Sequence, residues 1–281
     1  MNIRARAKIN LTLDVLGVRP DGYHEILTVM HPLELHDRIK VELLSTGALE
    51  VSCSHPDVPS GPGNLVYRAA ELLRSQCGCS MGASILIKKN IPVAAGLAGG
   101  SADAAAAMSA LNELWGLDLE EGQLLELGEK IGSDVPFCLA GRTALAGGKG
   151  EILTPAPSFP GLGVVLVKPP FGVSTARVYG LYDSSPAGPR PNTQAMINAL
   201  EKRDFEAVAA LLGNALERVT AALHPEIYEI KKALRDAGAA GAVMSGSGPT
   251  VFGLCRSPGE GLSVAARLDL PGCRVTVNET V

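Results

Sequence analysis

The chain has 281 residues, of which 46% are hydrophobic and 19% charged. These values lie near the averages of globular proteins and exclude a disordered or fibrous chain. The formal net charge of −4 gives no field that would attract a polyanion, so we expect no extended contact with nucleic acid or with a membrane surface. The length favours two domains over one.

The N-terminus and the cysteines indicate a cytoplasmic protein. The first residues carry charge but lack the apolar stretch and small-residue cleavage site of a secretory signal, and no segment has the uninterrupted apolar length of a membrane span. The cysteines are scattered, and Cys77 and Cys79 do not have a common zinc spacing, which favours free thiols. The histidines form no paired-ligand pattern, so we expect no transition-metal site. Magnesium bound together with phosphates would leave no such pattern.

Short strands and helices alternate in the first part of the chain. Residues 4–15 alternate apolar and polar side chains with period two, which predicts a half-buried strand. The sequence Pro20-Asp21-Gly22 predicts a tight turn, with Tyr23 and His24 just beyond it. Further strands are predicted at residues 38–44 and 83–89, with a helix at residues 65–77 between them.

Residues 95–107, AGLAGGSADAAAA, consist almost wholly of glycine, alanine and small polar residues. They lie between a predicted strand and an alanine-rich helix. Glycines 96, 99 and 100 would let the backbone turn sharply there and approach a ligand. Phosphate binds readily at such a helix N-terminus. The segment matches neither the common phosphate loop nor a dinucleotide loop, and taken alone it is equally well explained by close packing of a helix on a sheet.

The remaining elements suggest a second domain. Helices are predicted at residues 103–116 and 119–132, and a further helix begins near 133–136, with proline in its first turn. Residues 155–163 form the best domain boundary. Beyond it, the predicted elements are a strand at 164–168, a proline-rich loop at 184–192, helices at 193–200, 204–222 and 225–236, strands near 242 and at 251–255 joined by a turn at 245–250, a helix, and a strand at 273–277. Their order resembles a ferredoxin-like α/β sandwich.

Three segments resemble the motifs of the GHMP small-molecule kinases, which include galactose, homoserine, mevalonate and phosphomevalonate kinases. They are KINLTLDVLGVRPDGYHEI (8–26), IPVAAGLAGGSADAAAAM (91–108) and GAVMSGSGPTVFGL (241–254), and their order and spacing also fit the family. The resemblance spans nearly the whole chain and implies an α+β fold of two domains. Residues 1–158 would form a ribosomal-protein-S5-domain-2-like, ATP-binding domain and residues 159–281 a ferredoxin-like α/β sandwich, with the active site in the cleft between them.

Within this family, the RPDGYH loop and the AGLAGGSADAA form of the second motif are similar to those of kinases in the non-mevalonate isoprenoid pathway. The resemblance therefore implies transfer of the γ-phosphoryl group of ATP to the 2-hydroxyl of 4-diphosphocytidyl-2-C-methyl-D-erythritol, with Mg²⁺ as the metal cofactor. This chemistry depends on positioning and charge neutralisation, which suits a backbone cradle, a magnesium ion and one cation. The implied partners are ATP and a small-molecule substrate.

The resemblance also implies roles for individual residues. Asp134 in GSDVPF would act as the base or orient the hydroxyl, and Lys8 would be the cation beside it. The alternatives are a helix cap for Asp134 and a solvated strand face for Lys8. The implied ATP-binding residues are Asn64, Lys88 (or its neighbour Lys89), Pro92, Val93, Ala94, Ala95, Gly96, Leu97, Ala98, Gly99, Gly100, Ser101 and Ala102, with Ser101 also the magnesium contact. The implied substrate-binding residues are Asn10, Tyr23, His24, Thr175, Tyr179, Gly246, Ser247 and Gly248.

The cytidine end of the substrate needs an aromatic face and a hydrogen bond to the base edge. Tyr23 and His24 offer both, and Tyr179 would close the other side of the ring. Tyr23 packed beneath its turn, Asn64 as a helix cap and residues 246–250 as a plain hairpin turn are the structural alternatives.

Three other functions compete with this interpretation. Another kinase activity of the same family would have no use for an aromatic residue and a histidine at a base. A non-catalytic nucleotide-binding protein predicts the loss of Lys8 or Asp134, and both are present. RNA binding would need a basic stripe, which the sequence lacks.

Overall fold

The computed structural model describes residues 1–185 and 188–281. Residues 186 and 187, within the predicted proline-rich loop, lie outside the described residues. The strands are β1 (Asn2–Val18), β2 (His24–Leu44), β3 (Leu49–Cys53), β4 (Gly82–Lys88), β5 (Ala144–Gly147), β6 (Ile152–Pro155), β7 (Gly163–Lys168), β8 (Gly213–Asn214), β9 (Gly241–Met244), β10 (Val251–Cys255) and β11 (Arg274–Glu279). The helices are α1 (Leu65–Gln76), α2 (Gly99–Leu114), α3 (Glu121–Glu129), α4 (Val135–Ala140), α5 (Thr175–Tyr182), α6 (Thr193–Lys202), α7 (Phe205–Leu211), α8 (Glu217–Leu223), α9 (Glu226–Asp236) and α10 (Pro258–Ala265).

The first sheet has the strand order β3-β4-β2-β1-β8, with β5 paired to β2 and β6 to β5. Strand β4 is antiparallel to β2 and parallel to β3. Strand β2 is longer than predicted, because the sequence pattern indicates only residues 38–44. The first half of β2 is buried on both faces around Val29 to Leu33, so it lacks the alternation of polar and apolar side chains that marks a half-buried strand.

The second sheet confirms the ferredoxin-like order expected for the end of the chain. Its strand order is β11-β7-β10-β9, and each neighbouring pair is antiparallel. Helices separate β7 from β9, and α10 separates β10 from β11, which gives the chain order of a split β-α-β unit. All five residues of β10 are buried, so this strand lies in the hydrophobic core that joins the sheet to its helices.

The predicted single helix at residues 204–222 is wrong. Helix α7 ends at Leu211, the two-residue strand β8 pairs with β1, and α8 begins at Glu217. Leu212 already has extended backbone, with ψ at 126°. The glycine and asparagine of β8 favour helix weakly, and the Asn214 side chain hydrogen-bonds to backbone carbonyls of a distant segment. Such tertiary contacts outweigh the apolar periodicity that predicts a continuous helix.

The chain divides into two compact units. Unit 1 comprises residues 1–7, 35–92 and 98–141, and unit 2 comprises residues 8–34, 93–97 and 142–281. In unit 1, α2 packs against α1 and α4, and its alanines 102 and 104–107 are buried. Close packing, one of the two explanations of the small residues, therefore holds for the body of α2.

Two general expectations can be compared with the structure. All six cysteines are free thiols, as the sequence predicts. Within residues 1–185 and 188–281, no helix combines the length and apolarity that crossing a bilayer requires.

His31, in β2, joins this strand to the chain near residue 158. Its Nδ1 donates to the Pro32 carbonyl at 3.0 Å, and its Nε2 accepts from the Phe159 N–H at 3.3 Å. Since one ring nitrogen accepts a hydrogen bond, the imidazole is neutral in the folded protein. Burial lowers the pKa of His31 to about 4.

We expect the protein to lose stability as the pH falls from 6.5 towards 4. His31 takes up a proton near its ordinary pKa of 6.5 when the chain is unfolded, but only near 4 when it is folded. The unfolded state therefore binds more protons in this window, and the free energy of unfolding decreases by up to about 3 kcal/mol. Urea unfolding between pH 7.5 and 4.5 should show a steeper decline for the wild type than for His31→Gln. His55, which is only partly buried, is the control when replaced in the same way, and equal slopes for His31→Gln and the wild type would contradict the prediction.

Candidate active site

Lys8 is buried in β1, with only 3% of its surface exposed. Its ammonium group donates to Asn10 Oδ1 at 2.8 Å. The expected half-buried strand is wrong from residue 8 onwards, because β1 is buried on both faces from Lys8 to Asp14. A lysine on a solvated strand face is thus excluded. Burying a lysine is costly unless polar groups compensate its charge. The burial of Lys8 therefore indicates a functional role, since a lysine that only keeps a protein soluble lies on the surface.

Asn10 is held in one orientation by its neighbours. Its Nδ2 donates to Thr28 Oγ1 at 2.8 Å, and the Thr28 hydroxyl donates in turn to the Thr12 carbonyl at 2.6 Å. With its amide nitrogen engaged in this way, Asn10 presents its oxygen to Lys8. The sequence analysis did not identify Thr12 or Thr28, because nothing in their spacing distinguishes them from ordinary strand threonines.

The three sequence motifs meet at the carbonyl of Gly96. Ser245 Oγ donates to this oxygen at 3.0 Å, and Lys8 Nζ lies 3.5 Å from it. The Lys8 backbone N–H also donates to the Leu97 carbonyl at 3.2 Å. Gly96 has a φ of +75°, and a Cβ there would lie 2.3 Å from the Ser245 carbonyl oxygen. Only glycine therefore fits where the second motif contacts the third.

The N-terminus of α2 is suited to an anion. Its N-cap is Ala98, in the left-handed conformation with a φ of 58°, and in the described structure no side chain of the cap accepts a hydrogen bond from the first turn. Gly99, Gly100 and Ser101 follow in that turn. By contrast, α1 and α7 are capped by the side chains of Asn64 and Asp204. An uncapped N-terminus has N–H groups and partial positive charge available for phosphate.

Lys89 occupies a buried charge cluster in unit 1. It forms ion pairs with Asp37 and, at 2.7 Å, with Asp103. Burial raises the pKa of Asp103 to about 8, with Asp37 adding to the effect and Lys89 opposing it. The single ammonium group of Lys89 thus partly offsets the negative charge of two buried carboxyl groups. Asp37 also accepts from the Ile91 N–H at 2.8 Å, so the cluster fixes the backbone that leads into the glycine segment.

Lys88 points away from this cluster. It is exposed at the end of β4, whereas its neighbour Ile87 is fully buried. Of the two lysines proposed to border the nucleotide, Lys89 is engaged by carboxylates and Lys88 faces solvent.

Two predicted functional residues lie at helix starts, with different outcomes. Asn64 caps α1 by accepting from the Val66 N–H at 2.8 Å, and it donates to the Pro59 carbonyl at 2.7 Å. The capping alternative is thus confirmed for Asn64. Asp134 occupies the N-cap position of α4, but in the described part of the chain its side chain makes no capping hydrogen bond. Capping does not explain the Asp134 carboxylate, which is partly exposed.

Tyr23 and His24 leave the turn in different environments. Tyr23 is 58% exposed, and the Lys149 ammonium lies 5.4 Å from its ring centroid. Tyr23 therefore does not pack beneath its turn. The His24 ring lies 4.9 Å from the Tyr179 ring, centroid to centroid, at an angle of 35°, so the structure brings these two predicted residues together.

Asp183 orients the imidazole of His24. Its carboxylate lies 2.8 Å from His24 Nε2, and since a carboxylate only accepts, Nε2 carries the proton of this bond. In the neutral ring, Nδ1 is then an acceptor. Sequence reasoning missed Asp183, which is separated from His24 by 159 residues and carries no motif of its own.

The third motif forms a loop between the antiparallel strands β9 and β10. Ser247 Oγ and Thr175 Oγ1 lie 2.8 Å apart, so two more predicted substrate-binding residues are together. Gly246 and Gly248 have φ values of 58° and 87°. Because this loop also contacts Gly96 and Thr175, it is more than a plain hairpin connection.

A magnesium ion would have few ligands from the protein. Among the described residues, no cluster of three or more histidine, cysteine, aspartate or glutamate side chains could hold a metal ion. Ser101 lies in the first turn of α2. A hydroxyl at an uncapped helix N-terminus fits a magnesium ion whose other ligands are phosphate oxygens and water.

Enzymes that transfer phosphoryl groups act mainly by positioning and by neutralising charge, and an uncapped helix start after a glycine segment together with a buried lysine suits that class of protein. Family models agree. The model described as the GHMP kinases N terminal domain matches residues 64–142, and that of the GHMP kinases C terminal domain matches residues 196–271. The chain belongs to the GHMP kinase family.

Individual relatives are similar over almost the whole chain. A protein of Pelotomaculum thermopropionicum named 4-diphosphocytidyl-2-C-methyl-D-erythritol kinase is 54% identical over 98% of this chain and 96% of its own. A protein of the same name from Exiguobacterium sibiricum is 50% identical over 90% of this chain and 88% of its own. A crystal structure of 4-(cytidine 5'-diphospho)-2C-methyl-D-erythritol kinase aligns with a TM-score of 0.84 at 37% identity, covering 100% of this chain and 99% of the other. The two-domain GHMP kinase fold expected from the sequence is confirmed.

Proposed function

We propose that this protein transfers the γ-phosphoryl group of ATP to the 2-hydroxyl of 4-diphosphocytidyl-2-C-methyl-D-erythritol, yielding the 2-phosphate and ADP. The observation that carries the proposal is the near full-length similarity to kinases named for this substrate. The proposed enzyme is a small-molecule kinase of isoprenoid precursor biosynthesis in the cytoplasm. The division into domains 1–158 and 159–281, with the active site in the cleft between them, remains part of this proposal.

Residues 92–102 would bind the triphosphate mainly through backbone N–H groups. The uncapped start of α2 and the left-handed conformation of Ala98 support this role. Ser101 would hold magnesium, which neutralises phosphate charge when bound. For adenine, Asn64 and Lys88 remain the proposed contacts, although the Asn64 side chain also caps α1.

Lys8 and Asp134 would act on the attacking hydroxyl. The Lys8 ammonium is desolvated and fixed by Asn10, so its charge stabilises a developing alkoxide more strongly than it would in water. The Asp134 carboxylate is not used as a cap and would accept the hydroxyl proton or orient the hydroxyl towards the γ-phosphate.

His24 would recognise the cytosine base. Since Asp183 engages Nε2, the neutral ring offers Nδ1 as an acceptor, which matches the exocyclic amino group of cytosine. Uracil has a carbonyl oxygen at the same position and would leave both oxygen and Nδ1 without a donor. Tyr23 and Tyr179 would contact the base faces, and Asn10, Thr175 and residues 246–248 would bind the remainder of the acceptor.

An ADP-release assay tests the proposal directly. With ATP and magnesium, we expect release with the cytidyl acceptor but not with homoserine, mevalonate or phosphomevalonate. The uridyl analogue should react with a kcat/KM at least about tenfold lower, because it leaves buried polar groups unpaired. ADP release with another acceptor would support kinase activity but contradict the proposed recognition of cytosine. No ADP release with any acceptor, despite measurable ATP binding, would favour the non-catalytic nucleotide-binding function.

A further inference from the structure

Side chains of β8 and α8 form hydrogen bonds to the third-motif loop, residues 245–248, and to Met244 just before it. Asn214 Nδ2 donates to the Met244 carbonyl at 2.8 Å and to the Gly246 carbonyl at 2.7 Å. Its Oδ1 accepts from the Leu216 N–H at 2.9 Å. Every hydrogen-bonding group of this amide is thus committed, and both of its N–H bonds point at the start of the loop.

Two residues of α8 continue the support along the same backbone. Glu217 Oε2 accepts from the Met244 N–H at 2.9 Å, and Lys231 pairs with the other carboxylate oxygen. Thr220 Oγ1 donates to the Ser247 carbonyl at 3.1 Å and is fully buried. Asn214, Glu217 and Thr220 together bond to four backbone groups between residues 244 and 247.

The backbone of the loop contains two glycines, and bonds from other segments restrict it further. Beyond the paired residues Met244 and Val251, the loop has two backbone hydrogen bonds of its own, from the Ser245 N–H to the Thr250 carbonyl and from the Gly248 N–H to the Ser245 carbonyl. Gly246 and Gly248 both have positive φ. Glycine adopts many conformations, so the bonds from side chains outside the loop add to its own in favouring the conformation in which Ser245 reaches the Gly96 carbonyl and Ser247 reaches Thr175.

We infer that Asn214, Glu217 and Thr220 are positioning residues that set the third-motif loop for binding of the phosphoryl acceptor. The inference rests on the proposed function, which assigns residues 246–248 to the acceptor. It also explains why the chain is not helical between α7 and α8. A continuous helix over residues 204–222 would leave Asn214 without the extended backbone from which it reaches the loop.

Thr220→Val tests the inference with little change of shape. The valine leaves the Ser247 carbonyl without its buried donor and so removes one of the bonds that hold the loop in the conformation proposed to bind the acceptor. We expect KM for the acceptor to rise about tenfold and KM for ATP to stay within about twofold, and Thr220→Ser to restore the wild-type values. Asn214→Asp keeps an oxygen that accepts from the Leu216 N–H but replaces the amide nitrogen that donates to the Met244 and Gly246 carbonyls with a second oxygen. This variant should also raise KM for the acceptor. Equal changes in both KM values, or none, would overturn the inference.

A second readout does not depend on which acceptor the enzyme uses. In the ligand-free protein, amide hydrogen exchange at residues 246–248 should be at least about tenfold faster in Thr220→Val than in Thr220→Ser, with unchanged exchange in the core strand β10. Unchanged exchange at the loop would refute the positioning role. If exchange at the loop is faster in Thr220→Val but the wild type does not phosphorylate the cytidyl acceptor, the proposed function is refuted. The role of Thr220 in positioning the loop is then still supported.

Discussion

Asp134→Asn should bind ATP normally and lose phosphoryl transfer, with kcat lower by about 10³-fold. A positioned general base contributes about 10²–10⁴-fold, and asparagine cannot take a proton from the hydroxyl. The substitution preserves side-chain size, and since the Asp134 carboxylate makes no capping bond to α4, the helix should not be weakened. Single-turnover kinetics and ATP titration by calorimetry would separate the two effects.

Asp204→Asn is the matched control for this experiment. Asp204 caps α7 by accepting from the Ala207 N–H at 3.1 Å, and asparagine caps equally well. The control variant should therefore keep both kcat and ATP affinity. Near-normal turnover in Asp134→Asn would remove Asp134 from any essential catalytic role, and a matching loss of ATP affinity would indicate a role in nucleotide binding.

The local sequence predicted the elements that carry the motifs. Strong helix formers marked α2, a glycine-rich turn between apolar runs marked β9 and β10, and proline in its first turn marked α4. These signals arise from backbone preferences over a few residues, so they remain visible without tertiary information. The order of the predicted elements also indicated a ferredoxin-like sandwich, and the second sheet has the strand order of that fold.

Long-range contacts were beyond such reasoning. Asp183 bonds to His24 across 159 residues, and Asn214 bonds to Gly246 across 32, and neither pair has a spacing that predicts contact. Burial of Lys8 was equally hidden, because a polar residue on an alternating strand is normally solvated. The second face of β1 becomes buried only in the folded protein, and this burial adds a physical reason for the role that the resemblance implies for Lys8.

Gly96→Ala should reduce activity by at least about 10²-fold, the scale expected when reacting groups are displaced by about an ångström. An alanine at a φ of +75° is strained by about 1–2 kcal/mol, and its Cβ would lie 2.3 Å from the Ser245 carbonyl oxygen. The loop must move, which breaks the bonds that bring Ser245 and Lys8 to the Gly96 carbonyl. KM for ATP should rise and kcat fall together, because one displacement alters both the segment proposed to bind the triphosphate and the position of Lys8.

The size of this loss can be separated from a general loss of stability. Gly122→Ala, in α3, places a methyl group where no atom lies within 4 Å and should stabilise the helix by up to about 1 kcal/mol without changing turnover. Urea unfolding should show Gly96→Ala less stable than the wild type by about 1–3 kcal/mol, which leaves most molecules folded under assay conditions. Wild-type kcat and KM in Gly96→Ala would mean that the segment tolerates a side chain, and the contact of the second motif with the third would then have no part in catalysis.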